Sequence, residues 1–351
     1  MNHPYAQLPK QAFWRSGVAD MNFQEIRHVC AAAKFQVTRD MRIVTAGSCF
    51  AQHIAHRLQR QGFNFCDYEP APPPLPPQLR KHYGYEIFSA RYGNIYTARQ
   101  LLQTFDRAYG GPEPVENAWE IEGRWYDPFR PAIEPKGFAS ETELLASRAT
   151  HILALRRVFQ ETDLFIFTLG LTEAWESSID SFVFPVCPGT AAGRFDPARH
   201  RFHNFNFPET MADMEAFIAK LREVNPSVRV LLTVSPVPLT ATASGKHVLV
   251  ATTYSKSVLR AVAGDLSEKY GFVDYFPSYE LIASAPARAM FYDPNLRNVT
   301  ETGVNFVMSR FFANAEKRKG NGAEASRKKV WWPQPSKEDV VCEEMLLEQG
   351  R

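Results

Sequence analysis

The sequence has no uninterrupted apolar run of the roughly 18 residues that a membrane-spanning helix requires, so no transmembrane segment is expected. Its opening stretch, MNHPYAQLPKQAFW, has neither the basic start nor the apolar stretch of a secretory signal. Cysteine is sparse: Cys30, Cys49, Cys66, Cys187 and Cys342 are scattered and form no C-x-x-C pair. A zinc site or disulfide framework is therefore not expected, and a reducing compartment fits, with the cytoplasm as the default. An excess of one charge is also lacking. The formal net charge is +2, so bulk electrostatics favour neither nucleic acid nor a membrane surface. At 351 residues the chain can bury a substantial core, as one large or two small domains.

What is present is an alternation of strands and helices. Residues 1–40 read as an N-terminal arm with one short helix near Phe23 to Lys34. Apolar β-branched residues at Ile43-Val44-Thr45-Ala46 predict a buried strand. Ala51, Ile54, Ala55 and Leu58 then share one helical face, and Gly62 stops the helix. Asn64 to Asp67 is a candidate second strand. The run APPPLPPQ, Ala71 to Gln78, is too proline-rich for helix or central strand. It reads as a stiff surface spacer, with an SH3-type ligand as the alternative. A helix is expected over Ala98 to Tyr109, and residues 112–140 read as an excursion over the sheet edge, a candidate substrate-facing flap.

Further on, a helix is expected over Glu141 to Gln160 and a buried strand over Leu164 to Leu169. A loop-rich insertion follows, about Ser177 to Pro208. Then come a helix (Glu209 to Val224), a strand (Val228 to Val234), a helix (Thr253 to Tyr270), a short strand (Phe272 to Tyr275) and a helix (Gly303 to Asn314). Near-continuous apolar strands separated by helices indicate a parallel sheet covered on both faces. In such a sheet the working surface is the crevice at the carboxyl ends of the strands. Four strand ends meet there: Ser48, the Gly170 to Trp175 turn, Ser235-Pro236, and the loop after Tyr275. The Gly93 loop can join from the side. The α/β domain thus spans 41–314, and residues 315–351 read as a charged, flexible tail. In the tail, Trp331-Trp332 either dock back or engage a protein partner. Asp339 to Gln349 can form a short amphipathic helix with Val340, Met345 and Leu347 partly aligned.

Ser48 stands at a strand's carboxyl end and a helix's positive end, where developing negative charge is favoured. It is a candidate nucleophile, or simply an N-cap. Cys49 is a small buried hydrophobe or a nucleophile. The pattern is not a G-x-S-x-G elbow, because Ala46 and Phe50 occupy the outer positions. Gly47-Ser48-Cys49-Phe50-Ala51 spells GSCFA. The sequence resembles the GSCFA-domain family, a bacterial group similar to a branch of the SGNH/GDSL hydrolases, from about Asn2 to Phe312.

That resemblance implies a three-layer flavodoxin-like fold and a serine nucleophile at Ser48, whose N–H helps form the oxyanion hole. It implies a second donor at Gly93, beside Asn94, in GNIYT. The G-x-N-D block reads Gly170-Leu171-Thr172-Glu173, so the Thr172 hydroxyl would replace an asparagine amide. Alternatively, Thr172 caps a helix with Glu173 in its first turn. The D-x-x-H block reads Asn295 to Asn298. Asn295 stands for the aspartate and Asn298 for the histidine, and neither takes a proton near neutral pH. A serine needs an adjacent base. Glu173 is one candidate, since burial raises a carboxyl pKa. Histidines 53, 200, 203 and 247 are others, unless each is structural; His203, with His200, sits in the insertion that can fold over the crevice. No ligand spacing suggests a metal, and no cofactor is implied. Two functions follow as expectations. One is a serine esterase or O-acyltransferase on acylated sugars or polysaccharide. The other is a glycan- or protein-binding module that lost its base.

Overall fold

The computed structural model describes residues 3–26, 29–30, 33–316, 340 and 342–348. Strand β1 (Ile43–Gly47) leads into α1 (Phe50–Arg60). The proline-rich connection ends in a short α2 (Pro77–Arg80). Next come α3 (Ala98–Ala108), the hairpin of β2 (Trp119–Ile121) and β3 (Arg124–Tyr126), and α4 (Glu141–Glu161). Strand β4 (Leu164–Leu169) is followed by β5 (Glu173–Ser177), β6 (Val183–Phe184) and β7 (His200–Asn204). The domain is completed by α5 (Phe207–Val224), β8 (Arg229–Val234), α6 (Val248–Lys269), β9 (Val273–Tyr275), α7 (Ser278–Ala283) and α8 (Glu301–Glu316). A 3-10 turn, Glu343–Glu348, comes last.

The central sheet is parallel with order β1-β4-β8-β9. Alternate residues serve opposite faces, as the period of two requires. Val44, Ala46, Phe165, Phe167, Val230 and Leu232 pack towards α3, α4, α5 and α6. Ile43, Leu164, Ile166 and Leu231 pack towards α1, α7 and α8. The fold is therefore a mixed α/β sandwich of three layers. The candidate strand at Asn64 shrinks to one parallel bridge, Phe65 to Ile43, on the outer edge of β1. Prolines from Pro70 onward cannot donate to a ladder and turn the chain away. Counting that bridge, the strand order is the flavodoxin-like one.

Two expectations are corrected. Thr172 caps no helix, because Glu173–Ser177 is a strand. It pairs antiparallel with β7, Glu173 opposite Asn204 and Ser177 opposite His200. The loop-rich insertion after Ser177 also carries two short strands: β6 and β7 flank β5 in a small sheet. Of the helix expected near Phe23 to Lys34, the described residues contain only a 3-10 turn, Phe23–Glu25, capped by Asn22. Tertiary contacts hold this arm instead. Phe23 packs on the rings of Phe291 and Phe306, and the Lys34 N–H donates to Asp274. Trp331 and Trp332 lie outside the described residues. No helix among the described residues is long and apolar enough to cross a membrane.

Candidate functional site

The five residues of the GSCFA run have separable physical roles. Gly47 has φ +132°, and a Cβ there would run into the Thr168 carbonyl on β4. Only glycine fits this conformation and this approach. Phe50 and Ala51 are both buried, in two different parts of the core, and seat α1. Ser48 and Cys49 are what remains for chemistry, at the N-terminus of an 11-residue helix.

Ser48 does not cap that helix. Its hydroxyl is buried and has no hydrogen-bond partner among the described residues. The N-cap position is Cys49, whose side chain caps nothing either. The Ser48 backbone N–H donates to Thr168 O at 3.2 Å, so it continues the sheet ladder and does not point into an oxyanion hole.

The neighbouring strand ends close around this hydroxyl. A Cβ on Gly170 would lie 3.0 Å from Ser48 Cβ and 3.0 Å from Tyr96 O, so glycine is again required by close approach. The Gly170 and Leu171 N–H groups donate to Tyr96 O at 3.2 and 3.1 Å, and the Ile95 N–H donates to Gly47 O at 2.9 Å. These bonds hold the Gly93–Tyr96 loop beside β1 and β4. Ser48, Tyr96, Gly170, Ser235, Lys256 and Glu344 line one small cavity. It leaves about 10 Å³ for the centre of a water molecule, room for one at most.

Lys256 was not singled out from sequence. It lies on α6, fully buried, and its Nζ donates to Gly170 O at 2.6 Å. Burial lowers its pKa to about 8, opposed by the charge of Glu344. The signal was present: Lys256, Leu259 and Ala263 fall on one stripe of α6, and the two apolar members are fully buried. A lysine on an otherwise apolar stripe is unusual unless something inside requires it.

The other sequence candidates are placed as follows. Thr172 is buried, but its hydroxyl donates to Asn204 Oδ1 at 2.7 Å, away from Ser48. The Glu173 carboxylate accepts from the Thr242 hydroxyl at 2.7 Å; burial raises its pKa, and it does not line the Ser48 cavity. Ser235 lines that cavity at the end of β8, with its N–H on Leu169 O at 2.9 Å. His203 bridges Glu176 and Glu209 at 3.1 and 3.0 Å and stacks on Phe205. His200 contacts Glu116. His247 caps α6. None of these three histidines lines the Ser48 cavity.

Asn295 is exposed and organises a turn, its Oδ1 accepting the N–H groups of Arg297 and Asn298 at 3.0 Å each. Asn298 lines a larger cavity of ≈ 480 Å³, together with Cys49, His53, Arg57, Arg297 and Cys342. Gly93, at φ +69°, and Asn94 border a third cavity of ≈ 330 Å³. No group of three or more His, Cys, Asp or Glu among the described residues could hold a metal ion.

The C-terminal 3-10 turn lies across this crevice. Glu343 faces the Gly93 loop: the Asn94 side-chain amide and the Tyr96 hydroxyl (3.0 Å) both donate to its Oε2. Glu344 Oε2 lies 3.2 Å from Arg297 Nη2. Burial, reinforced by Cys342, raises the Glu344 pKa to about 7. The amphipathic pattern expected of this segment is inverted, since Glu343 is 7 % exposed and Met345 43 %. Cys342 hydrogen bonds to Cys49 and also receives the Arg297 guanidinium, which together hold its thiol low, while the same contact and burial push Cys49 up.

No curated protein matches this sequence. Residues 42–311 match the model of the GSCFA family, from the first residue before β1 into α8, and the chain belongs to the GSCFA family.

Proposed function

We propose that this protein is a serine-dependent acyl-transfer enzyme, an esterase or O-acyltransferase, in which Ser48 is the nucleophile and Lys256 the base. One observation carries the reading. A buried serine hydroxyl without a partner among the described residues shares a one-water cavity with a buried lysine of lowered pKa, at the carboxyl ends of two parallel strands. A general base must be near the proton it takes and must titrate near the working pH. Lys256 lines the Ser48 cavity, which no histidine and not Asn298 does.

The neutral Lys256 amine takes the Ser48 proton as Oγ bonds to the acyl carbon. The resulting ammonium then protonates the leaving alkoxide. Water or an acceptor hydroxyl, deprotonated by the same amine, then bonds to the acyl carbon, the bond to Ser48 Oγ breaks, and the ammonium returns its proton to that oxygen. The Asn94 amide and Tyr96 hydroxyl, which donate to a carboxylate oxygen here, are the donors available to a substrate oxygen. Acylated sugars or polysaccharide are the substrate class suggested by the resemblance to SGNH hydrolases.

The test, made in a chain whose crevice is opened by E343Q/E344Q, is labelling by a serine-directed fluorophosphonate together with hydrolysis of an aryl acetate. Ser48→Ala is expected to lose both, and unchanged turnover in that variant refutes the proposal. A second reading, a binding module on the same crevice, is favoured by the engagement of the Ser48 N–H by Thr168 and of the Thr172 hydroxyl by Asn204. Two donors implied by the resemblance are thereby occupied elsewhere. Absence of any Ser48 labelling in a chain with an opened crevice selects that reading.

A further inference from the structure

The groups around the Ser48 crevice, Arg297 included, are cationic and proton-donating, and they converge on one place. Arg297, 11 % exposed, and buried Lys256 come from the segment before α8 and from α6. Asn94 and Tyr96 come from the loop before α3. Among the described residues of the domain, 33–316, no carboxylate pairs with Arg297 or Lys256. A buried cation without a partner is costly, so a pocket holding two of them calls for an anion. The acids present are Glu343 and Glu344, adjacent in sequence. Glu343 meets Asn94 and Tyr96, whereas Glu344 meets Arg297 and lines the cavity of Ser48 and Lys256.

The flanking residues complete the fit. Val340, Cys342 and Met345 line the ≈ 480 Å³ cavity on one side, and Glu343 and Leu346 line the ≈ 330 Å³ cavity on the other. The segment therefore divides what is otherwise one long crevice, and it roofs Ser48. The cavity left at Ser48 admits a single water and no ester substrate. Glu316 and Val340 are 24 peptide steps apart, which can span up to about 80 Å, ample for the segment to leave and return.

We infer that the crevice is a carboxylate-binding site, that residues 342–347 of this chain occupy it as an intramolecular ligand closing Ser48, and that a carboxylate-bearing substrate displaces them. This rests on the reading of the crevice as the reaction site, and it adds the charge class of the substrate and the means of closure. Closure is electrostatic: two carboxylates take the places that the substrate's acids take. The donors are split between two subsites, so a ligand with two neighbouring carboxylates fits and a neutral ester does not displace the segment.

The experiment follows alkylation of Cys49, which lines the covered crevice and whose reactivity does not depend on Ser48 chemistry. The full chain and its E343K/E344K variant are treated with iodoacetamide, and modification of Cys49 is mapped by mass spectrometry. E343Q/E344Q serves as a second variant that removes charge without adding any. Alkylation of Cys49 is expected to be about tenfold faster, or more, in both variants. Adding the synthetic peptide SEEMLLEQ to the opened chain is expected to restore protection, and SQQMLLEQ is expected to leave it unprotected. Equal rates in the parent and both variants overturn closure by the segment. Equal protection by the two peptides overturns carboxylate recognition. An opened chain whose Cys49 reacts while Ser48 takes no fluorophosphonate supports the closure and refutes the serine chemistry, so the two failures are distinguishable.

Discussion

Lys256→Met tests the assignment of the base and can be reasoned through in magnitude. The lysine pKa falls from 10.5 to about 8 on burial. At 1.36 kcal/mol per unit this is roughly 3 kcal/mol against the charged form at neutral pH. Methionine removes that penalty and is an unbranched side chain only one heavy atom shorter. It also removes the bond to Gly170 O, and a buried carbonyl left unpartnered costs about 1–3 kcal/mol. The two effects oppose each other and are of similar size, so the variant should fold with a melting temperature within a few degrees of the parent. The sign of the pH dependence follows from a depressed lysine pKa. The parent is penalised below about pH 8, and the penalty fades as pH rises towards 10.5. The stability of Lys256→Met relative to the parent is therefore greatest at neutral and acid pH and declines above about 8. Reactivity should behave very differently from stability. Loss of a general base costs about 10²–10⁴ in rate. Fluorophosphonate labelling of Ser48, measured in the chain opened by E343Q/E344Q, should rise with pH as Lys256 loses its proton and then level off, with the inflection below about 8 because the Glu344 charge that raises the lysine pKa is gone. In Lys256→Met it should fall by that factor and lose the inflection. Labelling at the parent's rate across the whole pH range would refute the assignment, whatever the melting temperature.

Three further outcomes are expected. Asn298→Ala should leave Ser48 labelling within about twofold, because Asn298 lines the cavity of Cys49 and not that of Ser48; a tenfold loss would return a catalytic role to this block. Gly47→Ala should destabilise by roughly 3 kcal/mol or more, since the added Cβ meets the Thr168 carbonyl and the φ is one that alanine rarely adopts; a urea midpoint equal to the parent's would contradict the geometry. Asp127, fully buried, is held well below the usual carboxylate range because Arg130, Arg148 and Arg107 outweigh its burial. Asp127→Asn should cost about 3–5 kcal/mol in urea unfolding by leaving these guanidiniums uncompensated. The stabilisation from this group is present above pH ~4 and is lost as pH falls further.

Much of the fold could be read directly from the residues. Leu164 to Leu169 and Val228 to Val234 are apolar runs of strand length, and their side chains serve both faces of the sheet, so each stretch carries its own evidence. The helices over 98–108, 141–161 and 207–224 announce themselves by periodicity and by the caps Thr97, Ser140 and Asn206. The convergence of Ser48, Gly170, Ser235 and the Gly93 loop follows from the rule that parallel strands present their carboxyl ends together. Glu173–Ser177 was not legible, because a strand of mixed polarity is specified by its partner β7, some 25 to 30 residues later, and not by its own pattern.

What only the tertiary structure decided concerns burial of charge. In sequence, Lys256 is one cation among many, Arg297 stands between two asparagines that drew attention instead, and Glu343-Glu344 look like the solvated face of a tail helix. Charge is read as exposed by default because burying it is costly, and nothing local says where that cost has been met. Here it is met between elements far apart in the chain. Gly170 O receives Lys256, Arg297 receives Glu344, and Asn94 with Tyr96 receives Glu343. The residues fixed the strand ends and the serine between them; packing fixed which charges face that serine and which part of the chain covers it.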